Sequence, residues 1–315
     1  MTKIHTPRLT QFNPTSFCPY IIANAGNVRT ATLAKQLMSA ASYGGASAIK
    51  FERTGGNLTT ADCAHMAERA KILEIDLLVE AYTIDDVTEL DEFLEAHSLC
   101  GADISNIPYL RAIASFGKPV FLNTEGCYIE EIEKALKELR TVPNVILLHG
   151  VMMYPTPIAS ADLSNIHKLG STFPSNIIGY SDTTEIELDG DLTALHAAAD
   201  CGAIVLERTI EQMVALQPNK KGMTKFQLER FKAQRARRNT LMLPCEFERQ
   251  APIRKLLRRG IYAAEAIPEG ALFTERNLIT HTNACHGIAA ADWDKLLGQK
   301  ATKVYAPREP IQEKI

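Results

Sequence analysis

The sequence predicts an α/β protein, a closed (β/α)8 TIM barrel followed by a small β-rich domain. Short β-rich runs alternate with helix-length amphipathic segments from Tyr20 to about Thr209, as in parallel sheets covered by helices. Eight such runs are present, the strand number of a TIM barrel. An open, doubly wound sheet fits the same periodicity and stays an alternative. The predicted strands are Tyr20–Asn24, Ser47–Phe51, Ile75–Glu80, Ala102–Ser105, Pro119–Leu122, Val145–His149, Asn176–Ser181 and Ala203–Glu207.

The segments between these strands have the apolar spacing of amphipathic helices, with apolar residues three and four positions apart. Gly44, Gly45 and Gly202 stand where a helix gives way to the next strand, a position that favours glycine. The predicted helices are Thr32–Tyr43, Asp62–Leu73, Val87–His97, Ile107–Ser115, Ile129–Leu139 and Leu192–Asp200.

The alternation ends near Gln217–Gly222, and a further helix is predicted over Thr224–Arg238. The basic run at the end of this helix, Arg235–Arg238, is interpreted as a solvated helix face. The tail that follows the linker Leu243–Arg249 contains short β-like runs and a Pro-Glu-Gly turn, which favours a small β-rich module. The predicted division is therefore a barrel over residues 1–240 and a second domain over residues 250–315.

Composition indicates an ordinary globular protein, with 46% hydrophobic and 23% charged residues. The net charge of −3 gives no reason to expect nucleic acid or an anionic membrane as a partner. Apolar stretches are strand-sized, and the N-terminal residues show no signal-peptide pattern. Seven dispersed cysteines are typical of reduced thiols. We therefore expect a cytoplasmic protein.

Four segments at predicted strand ends carry a family resemblance: IIANAG at Ile21–Gly26, AIKFE at Ala48–Glu52, GYSDTT at Gly179–Thr184 and LERT at Leu206–Thr209. They resemble the sialic acid (N-acetylneuraminate) synthase family, which usually reads GYSDH and EKH at the last two. The family's two histidines hold a divalent metal, and here Thr183 and Thr209 stand in their places. The resemblance covers nearly the whole chain and implies a TIM barrel with a C-terminal antifreeze-like (SAF) domain.

Lys50 matches the family lysine that helps to bind the phosphate of phosphoenolpyruvate. The alternative is a structural ion pair with Glu52, which stands where the family commonly has glutamine. Asn24 replaces the glutamate of the family's AEIG motif, so it keeps hydrogen bonding and loses any acid–base role. All three residues are expected in the site.

The segment Ser98–Asn106 matches a family pattern in which Asp103 stands for a glutamate. Asp103 is therefore a candidate acid or base, or alternatively the N-cap of the next helix. Asn123 and Thr124 replace a Ser-Thr pair and are expected to contact the substrate. Glu80 and Glu125 place further carboxylates at or just beyond strand ends, and Glu80 is expected to contact the substrate.

Tyr154 belongs to a Tyr-Pro pair that matches the family and is a candidate catalytic or substrate-contacting residue. His149 is interpreted as a satisfied strand histidine. The remaining expected substrate contacts are Ser181, Asp182, Glu207 and Arg208, the last in place of the family's lysine.

These departures predict a divergent member that acts on a sugar or related carbonyl compound by metal-independent C–C bond chemistry, with Lys50, Asp103 and Tyr154 as catalytic residues. No cofactor and no metal is expected, unless Glu80, Glu125 and His149 rebuild a site. The added carboxylates disfavour dianionic phosphoenolpyruvate. The alternative is a non-catalytic homologue that binds a small polar ligand or partners an active synthase. The resemblance also implies a domain-swapped homodimer.

Overall fold

The computed structural model describes residues 19–44, 46–54, 57–185, 192–209, 250–282 and 287–313. Eight parallel strands form a closed barrel in sequence order, and β1 closes it by pairing with β8. The closed barrel excludes the open, doubly wound alternative. The strands are β1 (Tyr20–Gly26), β2 (Ala48–Arg53), β3 (Asp76–Ala81), β4 (His97–Leu99), β5 (Val120–Asn123), β6 (Val145–His149), β7 (Ile177–Asp182) and β8 (Val205–Thr209).

Helices on the outside of the barrel connect consecutive strands. They are α1 (Ala31–Tyr43), α2 (Thr60–Leu73), α3 (Ile84–Leu90), α4 (Ile107–Ser115), α5 (Ile129–Glu138), α6 (Ser164–Thr172) and α7 (Thr193–Asp200). Threonine side chains cap the first three: Thr30, Thr59 and Thr83 each accept a hydrogen bond from a backbone N–H in the first turn. Gly202 has a φ of +98° at the turn between α7 and β8, which explains the glycine there.

The fourth strand and the helix before it differ from the prediction. The predicted strand Ala102–Ser105 overlaps a 3-10 turn, Gly101–Asp103, and β4 lies earlier, at His97–Leu99. The predicted helix Val87–His97 ends at Leu90. A 3-10 turn, Asp91–Phe93, follows directly, and the Asp91 carboxylate lies 3.0 Å from Nε2 of the buried His97 and 2.8 Å from Nζ of Lys118. No element is predicted over Ser164–Thr172, whose polar sequence nevertheless forms α6.

Two apolar layers build the barrel. Side chains that point into the barrel form a small cluster that includes Tyr20, Ile22, Leu78 and Phe121, with the Tyr20 and Phe121 rings stacked 5.8 Å apart. A larger cluster lies between the outer face of the strands and the helices. The barrel is therefore filled below its mouth, as a packed core.

The C-terminal part forms a separate small unit with its own buried core. It contains α8 (Ala251–Leu257), β9 (Arg259–Ala263), β10 (Leu278–Thr282) and α9 (Trp293–Leu296), and β9 pairs with β10 antiparallel. Buried members of its core include Phe273, Trp293 and Tyr305. This confirms β structure in the tail, whereas its assignment as an antifreeze-like domain stays a prediction. The predicted helix Thr224–Arg238 lies outside the described residues.

Within the described residues, no helix combines the length and apolar character needed to cross a membrane.

Candidate active site

A cavity of about 610 Å³ opens at the carboxyl ends of the barrel strands, below the C-terminal unit. This end of a TIM barrel is where catalytic residues gather. Barrel residues line it together with Leu257 of α8, Arg259 of β9 and Thr280–Thr282 of β10. Among the lining side chains are Asn24, Lys50, Glu52, Glu80, Tyr82, Cys100, Asn123, Glu125, Tyr154, Ser181, Thr183, Glu207 and Arg259.

The alternation of side chains along each strand decides which predicted site residues reach this cavity. Successive strand residues point to opposite faces of a sheet. On β7 and β8, Ser181 and Glu207 line the cavity, while their neighbours Asp182 and Arg208 do not. Asp182 and Arg208 are opposite each other in the strand register and form a buried ion pair. The expected ligand contacts of these two residues are therefore not supported by their position.

Lys50 lies at the base of the cavity, buried, between two carboxylates. Its Nζ is 2.6 Å from Oε1 of Glu207 and 3.2 Å from Oε2 of Glu80. Burial alone lowers the pKa of Lys50, but the two carboxylates outweigh burial and raise it above its ordinary value. The side chain is therefore a stable ammonium. Lys50 thus forms its ion pairs with Glu80 and Glu207, and not with Glu52 as in the alternative interpretation.

All the hydrogen bonds of the Glu207 carboxylate with described residues are accepted by the same oxygen, Oε1. Oε1 accepts from Lys50, from Nδ2 of Asn24 at 3.0 Å and from Oγ of Ser181 at 3.2 Å. Oε2 is buried without a partner in the described part of the chain, and so is Oδ1 of Asn123. Buried acceptors without donors are rare in proteins. Both belong to residues that line the cavity.

Glu52 and Glu80 are neighbours in the register of β2 and β3 and together make one wall acidic. Tyr82 donates a hydrogen bond to Oε1 of Glu80 at 2.9 Å, and Ser98 donates to its other oxygen at 3.4 Å. Burial and the Glu80 carboxylate raise the pKa of Glu52, against the opposing effect of Lys50. No described cation forms a salt bridge with Glu52.

Glu125 lies on another wall of the cavity, next to Tyr154. The carboxylate is buried and accepts a hydrogen bond from the Tyr154 hydroxyl, whereas the tyrosine itself is 55% exposed. Burial raises the pKa of Glu125 to about 7; the Tyr154 hydrogen bond opposes this and Glu80 adds to it. Its protonated and ionised forms are both populated near neutral pH, as an acid–base catalyst requires.

Asp103 does not line the cavity but holds a residue that does. Its two carboxylate oxygens accept from Nε and Nη2 of Arg259 at 2.6 and 2.9 Å. The guanidinium also lies over the Tyr82 ring, 5.4 Å from its centre. A bidentate pair of this kind fixes orientation. Asp103 therefore positions Arg259 of β9, and Asp103 itself does not line the cavity.

Thr124 and His149 belong to a different cavity, of about 540 Å³, on the outer side of β5 and β6. The Thr124 hydroxyl donates to the Leu148 carbonyl at 3.0 Å. His149 lies 3.1 Å from the Ala161 carbonyl and stacks on Tyr180. The interpretation of His149 as a satisfied strand histidine fits these contacts. Thr124 does not reach the barrel mouth, where we expected it.

The described residues do not fit the divalent metal that the family resemblance implies. The Thr183 hydroxyl is 2.8 Å from that of Thr156, and Thr209 is exposed at the end of β8. His149 lines the second cavity, whereas Glu80 and Glu125 line the first, so the three side chains do not come together as a metal site. Within the described part of the chain, no group of three His, Cys, Asp or Glu side chains is arranged to hold a metal. Metal independence itself stays a prediction.

Fold and cavity together define a TIM-barrel protein with an acidic, lysine-centred site at the barrel mouth. A sequence model of the NeuB family matches residues 35–238, and the chain belongs to that family. The N,N'-diacetyllegionaminic acid synthase of Campylobacter jejuni is 28% identical, over 93% of this chain and 98% of its own length. The pseudaminic acid synthase of Helicobacter pylori is 25% identical, over 79% of this chain and 73% of its own. The resemblance to sialic acid synthases is thereby confirmed.

Solved structures show the same fold. The spore coat polysaccharide biosynthesis protein SpsE of Bacillus subtilis superposes with a TM-score of 0.67 at 18% identity, covering 93% of this chain and 94% of that one. An N-acetylneuraminic acid synthetase from Leptospira borgpetersenii, solved with citrate, superposes with a TM-score of 0.56 at 24% identity, covering 70% and 92%.

Sequence reasoning missed two functional candidates. Arg259 comes from the C-terminal unit, far along the chain from every strand end, and no local signal connects it with Asp103. The sequence predicts Glu125 as an added carboxylate and a possible metal ligand, and not as an acid or base. Its position just beyond the buried strand β5 is the signal that points to the pocket wall.

Proposed function

We propose that this chain is a divergent sialic-acid-synthase-like enzyme that acts on a sugar or related carbonyl compound by metal-independent C–C bond chemistry. The observation that carries the proposal is the Lys50 ammonium, held between Glu80 and Glu207 at the base of the cavity. An ammonium has three N–H donors. Two carboxylates accept from two of them, so the described residues leave one for a ligand oxygen.

Lys50 acts in this proposal as a fixed positive charge. A lysine with a raised pKa is a poor nucleophile, so imine formation with the carbonyl is disfavoured. A buried ammonium instead stabilises negative charge that develops on a carbonyl oxygen. This role requires no metal ion. The described residues offer no set of ligands for one.

Glu125 supplies the proton transfer. In the cleavage direction, its carboxylate accepts the proton of the hydroxyl on the carbon β to the carbonyl. The bond between the α and β carbons then breaks, and its electron pair forms an enolate whose oxygen pairs with Lys50. The β carbon leaves as an aldehyde, and Glu125 returns the proton to the α carbon. Condensation is the same sequence in reverse.

Tyr154 and Asp103 act through other groups. Tyr154 donates a hydrogen bond to Glu125 and thereby orients the carboxylate. Asp103 fixes Arg259, whose guanidinium closes one side of the cavity. Asn24, Ser181 and Asn123 supply polar contacts to the ligand or to Glu207. We further propose that the protein is cytoplasmic and has no nucleic-acid or membrane partner.

The test is a carbon-bond assay followed by NMR. Purified protein in EDTA is incubated with pyruvate labelled with ¹³C at carbon 3, together with hexosamines and their N-acetyl forms. We expect a labelled product that is lost in Lys50→Met and Glu125→Gln and kept in the control Lys168→Met, which alters the second cavity. Equal turnover in wild type and Glu125→Gln contradicts the proposal.

A second candidate function is a non-catalytic homologue that binds a small polar ligand or partners an active synthase. The observation in its favour is Asn24, whose amide binds Glu207 where the resemblance places a carboxylate. Ligand binding that depends on Lys50, without any labelled product, supports this alternative.

A further inference from the structure

Unused acceptors on two residues that line the cavity point to a ligand rich in hydrogen-bond donors. Oε2 of Glu207 and Oδ1 of Asn123 are each buried and lack a partner in the described part of the chain. Glu207 is 2% exposed and Asn123 is 4% exposed. A buried acceptor left unpaired destabilises the folded protein, because its desolvation is not compensated. A bound molecule with N–H or O–H groups removes this cost, and one with only acceptors does not.

The charge of the cavity adds a second requirement. Each cationic side chain that lines it in the described part of the chain is already paired: Lys50 with Glu80 and Glu207, Arg259 with Asp103, and Arg53 with Asp86 and Glu89. Glu52 has no ion pair with a described cation, and Glu80 is its neighbour across the β2–β3 register. The wall formed by Glu52 and Glu80 therefore has more negative than positive charge.

We propose that the substrate is an amino sugar with a free primary amine, whose ammonium group pairs with Glu52 and whose hydroxyls donate to Glu207 and Asn123. The inference rests on the proposed function and names its substrate class. A cavity of about 610 Å³ accommodates a monosaccharide. An N-acyl group has no positive charge to pair with Glu52, and a phosphate is repelled by Glu52 and Glu80.

Calorimetric titration with matched sugars tests this inference. Mannosamine, glucosamine and galactosamine are each compared with their N-acetyl forms at pH 7, in EDTA. We expect at least one free amine to bind ten-fold or more tightly than its N-acetyl form. Glu52→Gln, which removes the charge at nearly constant shape, should abolish this preference. The control is Glu130→Gln at the second cavity, which should keep it.

Three results overturn the inference: N-acetyl sugars that bind as tightly as the amines, a preference that Glu52→Gln leaves unchanged, or no binding of any amine at millimolar concentration. Failure of this inference does not by itself overturn the proposed function. If a labelled product forms from neutral sugars and depends on Lys50 and Glu125, the carbonyl chemistry stands and only the requirement for an amine is rejected.

Discussion

Lys50 and its two glutamates set the charge at the base of the cavity. All three side chains are nearly excluded from solvent, so each depends on the others for charge balance. Buried ions are costly unless they are paired. The arrangement also explains why Lys50 cannot be read from sequence as a phosphate ligand alone: its partners come from β3 and β8, and only the closed barrel brings them together.

Replacement of Lys50 by methionine should destabilise the fold by about 3–5 kcal/mol, because Glu80 and Glu207 lose their counterion in a buried position. Urea unfolding at pH 7 measures the loss. Adding Glu207→Gln to the variant should restore part of it, since the amide removes one unpaired charge. A double variant that is no more stable than Lys50→Met contradicts the coupling.

Glu125 makes a pH-dependent contribution to stability. Its pKa is about 7 in the folded protein against an ordinary 4.5. The folded state therefore holds the proton more tightly, so this contribution is complete below pH 4.5 and is lost as pH rises through 7. The loss amounts to about 3 kcal/mol.

Glu125→Gln should remove that dependence. The stability of the variant relative to wild type should rise between pH 4.5 and 7 and then level off, as measured by urea unfolding at each pH. Glu130→Gln serves as the control, because it alters a solvent-exposed carboxylate of α5. A difference between Glu125→Gln and wild type that is constant across pH contradicts the raised pKa.

At the scale of single elements, β7 depends on a glycine that faces into the barrel. A Cβ on Gly179 would lie 2.5 Å from Cδ2 of Leu148 and 2.6 Å from the Val205 carbonyl oxygen. Neither neighbour can move freely, because each belongs to an adjacent strand. The GYSD segment therefore needs its glycine for strand packing, independently of any function of the residues that follow it.

Gly179→Ala should lower the free energy of unfolding by about 1–3 kcal/mol through overpacking. The matched control is Gly170→Ala in α6, where the nearest atom to the added Cβ is 3.7 Å away. Alanine in a helix is favoured over glycine by up to about 1 kcal/mol, so this control should be neutral or stabilising. Equal effects of the two substitutions on thermal unfolding contradict the packing argument.

Periodicity predicted seven of the eight strands to within two residues at each end, because buried parallel strands are short apolar runs that glycines and polar turns interrupt. It failed at β4, where a three-residue strand is too short for the pattern to show. It also could not separate Ser181 from Asp182, or Glu207 from Arg208. Which of two adjacent polar residues faces the barrel interior depends on strand register, and register is a property of the assembled sheet.

At the scale of the whole molecule, charged contacts join the C-terminal unit to the barrel. Arg254 and Arg258 both bind Glu131, and Arg259 binds Asp103. Arg111 on α4 binds Asp294. In this structure the unit covers the mouth of its own barrel. The separate core of the unit supports the proposed division into residues 1–240 and 250–315.

The family resemblance implies instead that the C-terminal unit of one chain covers its partner's barrel. Light scattering at micromolar concentration should show twice the 34.7 kDa chain mass. An equal mixture of Lys50→Met and Arg259→Met chains should then recover about a quarter of the sites, because each mixed dimer contains one intact site. A monomer excludes the dimer, and a dimer without recovery excludes the swap.

Metal analysis of the active protein tests the central claim most directly. After extensive dialysis against EDTA, elemental analysis should find no stoichiometric manganese, magnesium or zinc, and the same sample should still form the labelled carbon–carbon product. This follows if Lys50 supplies the positive charge and Glu125 the proton. About one tightly held ion per chain, whose removal abolishes turnover and whose return restores it, would contradict the account.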